Sequence, residues 1–74
     1  MIQIGVIGFG YWGPNLVRNF LQTEGCTVVL IADQRQERLD LVANLYPSIS
    51  TSASVTDILD NNDLDAVVIA TPVF

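Results

Sequence analysis

The sequence has no histidine and no lysine, and its basic residues are Arg18, Arg35 and Arg38 alone. Eight aspartates and glutamates oppose them, for a formal net charge of −5. So few cations cannot form a basic patch, which argues against nucleic acid and anionic membrane as partners. The single cysteine, Cys26, rules out an intramolecular disulfide framework and reads as a small buried thiol in a reducing cytosol. One cysteine without histidine gives no zinc or iron ligand set. The acidic run at 60–65 lacks the glycine and the glutamate of a calcium loop, so it reads as a solvated turn. Acid–base chemistry at a reacting hydroxyl needs a group that moves the proton, most often His, Lys or Tyr. The first two are absent, and neither tyrosine lies in a motif for the role, so no catalytic residue and no metal ligand is expected.

Long apolar runs are also missing. The longest, at 28–32 and 66–70, fall far short of the roughly 20 residues that cross a bilayer. The first strand begins at Ile2 with no basic segment ahead of it, so no leader is expected and the cytoplasm is the expected location. What the chain has in quantity is short apolar segments. Half of its 74 residues are hydrophobic, and mean hydropathy is +0.43. A chain of 8.1 kDa buries only roughly 60% of its unfolded surface, so one small domain is expected, with some apolar surface left to meet something else.

Those segments alternate in period. Residues 2–7 form a short apolar strand. From Pro14 the spacing of Leu16, Val17, Phe20 and Leu21 is that of a helix with one apolar stripe, ending near Thr23 and Glu24 with Gly25 as its stop. Thr27-Val28-Val29-Leu30-Ile31-Ala32 reads as a strand buried on both faces. Gln36 to Tyr46 is helical again, and Pro47 ends it. Ile49 and Thr51 suggest a short edge strand. Ser54 and Asp57 resemble an N-cap and its acidic partner before a short helix at Val55, Ile58 and Leu59. Ala66-Val67-Val68-Ile69-Ala70 reads as a second doubly buried strand. The order predicts an α/β fold: a Rossmann-type parallel sheet of order 3-2-1-4 with helices on both faces, amounting to half of a dinucleotide-binding domain.

The chemistry lies where the first strand meets the first helix. Gly8-Phe9-Gly10-Tyr11-Trp12-Gly13 matches G-x-G-x-x-G. In that motif Gly8 permits the tight turn, Gly10 lets a pyrophosphate lie against the backbone, and Gly13 lets the helix pack close to the sheet. Free amides and the positive end of the helix dipole then face the phosphates. Asp33 stands twenty residues after Gly13 at the end of the second strand, where an acid bonds the adenosine ribose. A 2′-phosphate within about 4 Å of it would meet a repulsion of about 4 kcal/mol per unit charge, which favours NAD over NADP. Arg38, and less so Arg35, are placed to offset this by pairing with a phosphate, which keeps NADP open; Arg35 reads equally as a solvated charge. Tyr11 and Trp12 either wall the nicotinamide half of the cleft or, for Trp12, pack beneath the loop.

Three stretches carry a family likeness: Gly8-Phe9-Gly10-Tyr11-Trp12-Gly13-Pro14-Asn15-Leu16-Val17-Arg18-Asn19-Phe20, Ala32-Asp33, and Asp65-Ala66-Val67-Val68-Ile69-Ala70-Thr71-Pro72. With them, nearly the whole chain resembles the Gfo/Idh/MocA oxidoreductases. The Gly-Tyr-Trp-Gly-Pro-Asn-Leu version looks most like members acting on nucleotide-linked sugars. The resemblance implies an NAD(P)-dependent sugar or cyclitol dehydrogenase, with Thr71 and Pro72 beside the nicotinamide ribose. It also implies a catalytic lysine and a downstream histidine, for which these residues offer no match. The expectation is therefore the first part of a cofactor domain, residues 1–74, that binds a dinucleotide without catalysing by itself. A free-standing nucleotide-binding or interaction module completed by a partner, or a structural piece that binds nothing, are the alternatives. The strand at 66–70 would be an exposed sheet edge in the chain alone, so self-association is expected.

Overall fold

A computed structural model describes residues 1–70. The apolar run after Met1 forms β1 (Ile2–Ile7), followed by α1 (Gly13–Gln22), β2 (Cys26–Ala32), α2 (Gln36–Leu45), β3 (Ser50–Ser52), α3 (Val55–Leu59) and β4 (Ala66–Ile69). The strands form one sheet in the order β3-β2-β1-β4, with every neighbouring pair parallel. This is the expected topology. Among the described residues no helix is long and apolar enough to cross a membrane.

Local signals account for the element ends. Pro14 sits in the first turn of α1, where a missing N–H costs no helical bond. The Thr23 amide closes the helix on the Phe20 carbonyl at 3.1 Å. Gly25, at φ +92°, then turns the chain into β2. The start of α3 differs from expectation. Ser54 occupies the N-cap position, but its side chain makes no capping bond. Ser52 takes over instead: its hydroxyl accepts from the Ser54 N–H at 3.0 Å and donates to the Asp57 carboxylate. A serine two residues before an amide competes well for it, and Ser52 is held in place by β3.

Two apolar clusters sandwich the sheet. Ile4, Val6, Val28 and Ile31 pack with Phe9, Val17 and Val42 under α1 and α2. Ile7, Leu30 and Ala32 pack with Ile58 of α3 on the opposite face. Val28 and Ile31 share a face although they are three residues apart. The reason is a bulge: Ile4 pairs with Val28 but Gly5 pairs with Leu30, leaving Val29 as the extra residue. A continuous apolar run shows no alternation from which this shift could be read.

β4 is less buried than its composition suggests. It is a sheet edge among the described residues, pairing with β1 only. Val68 reaches the α1 side, while Val67 and Ile69 stand 41% and 70% exposed. Their registry with Gly5 and Ile7 puts them on the α3 face. The five-residue α3 packs over β1 and β2, which leaves that part of the face open.

Candidate cofactor cleft

The connection after β1 leads to β2 on one side, whereas β4 joins β1 on the other. A crevice at the carboxyl ends of strands is expected where directions part in this way. A cleft of about 350 Å³ lies there, walled by residues that include Gly8, Asp33, Arg35, Val55 and Ala70. That volume is at the lower end of the range for small-molecule sites.

The loop above the cleft is built by backbone approach. Gly8 adopts φ +100°, a region that L side chains avoid, and its N–H donates to the Ala32 carbonyl at 2.7 Å. A Cβ on Gly13 would stand 2.7 Å from the Gly8 carbonyl oxygen, so only glycine lets α1 start this close to the turn. Phe9 plugs the loop into the core and is fully buried. Its side chain is therefore an anchor. Both sides of the Phe9 residue are also held from beyond β2. Its N–H donates to Asp33 Oδ2 at 2.9 Å, and its carbonyl accepts from Arg38 Nε at 2.8 Å. Arg38 Nη2 extends the grip to the Gly10 carbonyl at 3.4 Å. Among the described residues no acceptor faces the amides of Gly10, Tyr11 and Trp12. They precede a ten-residue helix with no side-chain cap and no acid in its first turn. Such an end attracts an anion.

Asp33 is buried, and Arg35 is half exposed. Arg35 Nε donates to Asp33 Oδ1 at 3.0 Å and Nη2 to Oδ2 at 2.9 Å, while the Arg35 N–H adds a bond to Oδ1 at 2.9 Å. Burial opposes the Asp33 charge, but the guanidinium and the Phe9 and Arg35 amides outweigh it, lowering the pKa to about 2. Asp33 in turn raises the pKa of Arg35 above its ordinary value. The same guanidinium lies over the loop, for a Cβ on Gly10 would meet Arg35 Nη2 at 3.0 Å.

Of the expected site residues, Gly8 and Asp33 line the cleft, while Phe9, Gly10 and Gly13 belong to the adjoining loop, whose Phe9 and Gly10 carbonyls Arg38 holds. Tyr11 and Trp12 sit in the loop as residues 83% and 60% exposed, which rules out local core for Trp12. Their rings meet edge to face at 5.0 Å. Thr71 and Pro72 lie outside the described residues, directly after Ala70 of the cleft wall. Arg35 is the residue that sequence reasoning undervalued. Its signal was its place two residues beyond a strand-end acid, within reach of a bidentate pair.

A family model described as an oxidoreductase family with an NAD-binding Rossmann fold matches residues 2–74. The chain belongs to the Gfo/Idh/MocA oxidoreductase family. Inositol 2-dehydrogenase 2 of Paenarthrobacter aurescens is 36% identical over 70 residues, which are 93% of this chain and 20% of that protein. Among solved structures, an Agrobacterium radiobacter oxidoreductase in complex with NAD+, L-tartaric acid and magnesium superposes with a TM-score of 0.86 at 25% identity. It is matched over 97% of this chain and 21% of its own. A myo-inositol dehydrogenase from Corynebacterium glutamicum gives 0.85 at 25% identity, with the same coverage. The chain therefore spans about a fifth of the length of these Gfo/Idh/MocA relatives. None of the three is named for a nucleotide-linked sugar.

Proposed function

We propose that these residues hold the adenosine and pyrophosphate portion of NAD for an oxidoreductase acting on a sugar or cyclitol hydroxyl. The observation that carries this reading is the cradle itself. Amides at the start of α1 with no acceptor among the described residues, and glycines where a Cβ would collide, form a loop adjoining the cleft that Gly8 and the buried Asp33 carboxylate line. Gly10, Tyr11 and Trp12 offer N–H donors to the pyrophosphate, and Gly8 and Gly13 shape the turn that presents them. Asp33 accepts from the ribose hydroxyls. Arg38 positions the loop by holding its carbonyls away from the anion. Phe9 contributes through its buried ring, and the rings of Tyr11 and Trp12 wall the side towards the nicotinamide. Thr71 and Pro72 take their place near the nicotinamide ribose from the family likeness alone.

Bound NAD supplies a two-electron hydride acceptor. The chain's part is to bind and orient it, since residues 1–74 contain no histidine or lysine to move the proton. The inositol dehydrogenases among the relatives support a cyclitol-type substrate. The open edge and face of β4 favour a second element of the reading: residues 1–74 are one part of a larger sheet, completed by more chain, a partner or a second copy. A reducing, cytoplasmic setting accords with the lone Cys26.

Calorimetric titration of the chain with NAD, NADP and ADP-ribose tests the cofactor reading. ADP-ribose should bind about as tightly as NAD, because the grip is on the adenosine end. Heat from none of the three would overturn it.

A further inference from the structure

The Asp33 carboxylate already has all the donors it can take. Two carboxylate oxygens offer about four acceptor positions. The Phe9 amide and Arg35 Nη2 occupy Oδ2, and the Arg35 amide and Nε occupy Oδ1. The two amides belong to the loop and to the start of α2, so the fold holds them there. The two guanidinium bonds belong to a side chain that is 52% exposed, so solvent borders the position it would move into. The same guanidinium stands against Gly10, the other surface that an adenosine diphosphate must approach.

We propose that Arg35 competes with the dinucleotide for Asp33 and thereby decides which dinucleotide the cleft accepts. This inference rests on the dinucleotide reading given above. A ribose with two free hydroxyls must donate to Asp33, and it can do so only when the Arg35 fork leaves. A ribose bearing a 2′-phosphate has no such donor at that position. Its phosphate accepts from the guanidinium while the fork still neutralises the carboxylate that would otherwise repel it. Arg35 therefore opposes NAD and admits NADP. The preference for NAD expected from Asp33 alone is reduced by the residue two positions later.

The test is titration of the wild-type chain, Arg35→Ala and Arg35→Lys with NAD and with NADP, at matched ionic strength and with folding checked by circular dichroism. Arg35→Ala should bind NAD about threefold to tenfold more tightly and NADP about tenfold more weakly than wild type. Arg35→Lys keeps the charge without the fork, so it should gain less for NAD and retain more for NADP. It also keeps the comparison available if the alanine variant unfolds. In the wild-type chain, the Arg35 Nε–H resonance should lose its hydrogen-bonded shift on adding NAD and keep it on adding NADP. NAD binding that persists with an unchanged NAD to NADP ratio in the variants would overturn the role of Arg35 and leave the cofactor reading standing. Absence of binding by every chain would overturn both.

Discussion

Asp33 joins three roles in one side chain: it anchors the Phe9 amide, pairs with Arg35, and faces the cleft. Its burial makes the charge sensitive to those partners, and the partners win, leaving a pKa of about 2 against an ordinary 3.8. A folded-state value below the unfolded one means that the ionised form stabilises the fold. The contribution, about 2 kcal/mol from this shift, is complete above about pH 4. It is lost as pH falls through about 2, when the folded state also takes up the proton. Urea denaturation between pH 5 and 2 should show stability declining by about that amount, and Asp33→Asn should flatten the decline. An unchanged slope in the variant would assign the acid sensitivity to other carboxylates. Arg35 matters at the same scale for a different reason. Its pair is half in solvent, so its value for stability is small and its consequence lies in what it blocks.

At the scale of elements, the cleft depends on α2 holding a loop that α1 begins. Arg38, in the first turn of α2, binds the Phe9 and Gly10 carbonyls across the end of the sheet. This fixes the direction of the following amides, because a peptide whose carbonyl is held cannot rotate its plane. Arg38→Met keeps the stem and removes the donors. It should weaken NAD and NADP by the same factor, about threefold to tenfold for one or two charged hydrogen bonds at a partly exposed site. Amide hydrogen exchange at residues 9–12 should speed up in the same variant. A change in the NAD to NADP ratio would instead place Arg38 on the 2′-phosphate. The bulge at Val29 is the matching device in the sheet. It brings Ile31 under α1 and α2 and Leu30 under α3, so that both faces of β2 are filled up to Asp33.

The whole molecule is asymmetric in cover. The α1 and α2 face is continuous from Ile49 to Val68, whereas the α3 face ends before Val67 and Ile69. β4 therefore presents an unpaired edge, among the described residues, beside exposed apolar side chains. Such an edge pairs readily with another strand. Sedimentation of the 74-residue chain should show dimers or larger species at tens of micromolar, increasing with concentration. Ile69→Lys places a charge on that surface and should return the chain to monomer. A wild-type chain that stays monomeric would mean that β4 is protected without a partner.

Much of this protein was determined by local chemistry. Period and breakers marked β1, α1, β2 and α2, and the alternation of elements was enough for the 3-2-1-4 sheet. Gly8, Gly13 and Asp33 were legible because a tight turn, a close helix start and a strand-end acid each demand a particular residue at a set spacing. Tertiary structure decided what depends on neighbours distant in sequence. The Val29 bulge was hidden because a strand buried on both faces has no polar beat to lose. Ser52 displaced Ser54 as the partner of Asp57 because β3 fixes where its hydroxyl points. Tyr11 and Trp12 were placed outside the core because Phe9 already fills the space beneath the loop. Arg35 reads as one more surface charge until the fold turns it back over Asp33 and Gly10. Only there does a single guanidinium meet both the buried carboxylate and the glycine loop.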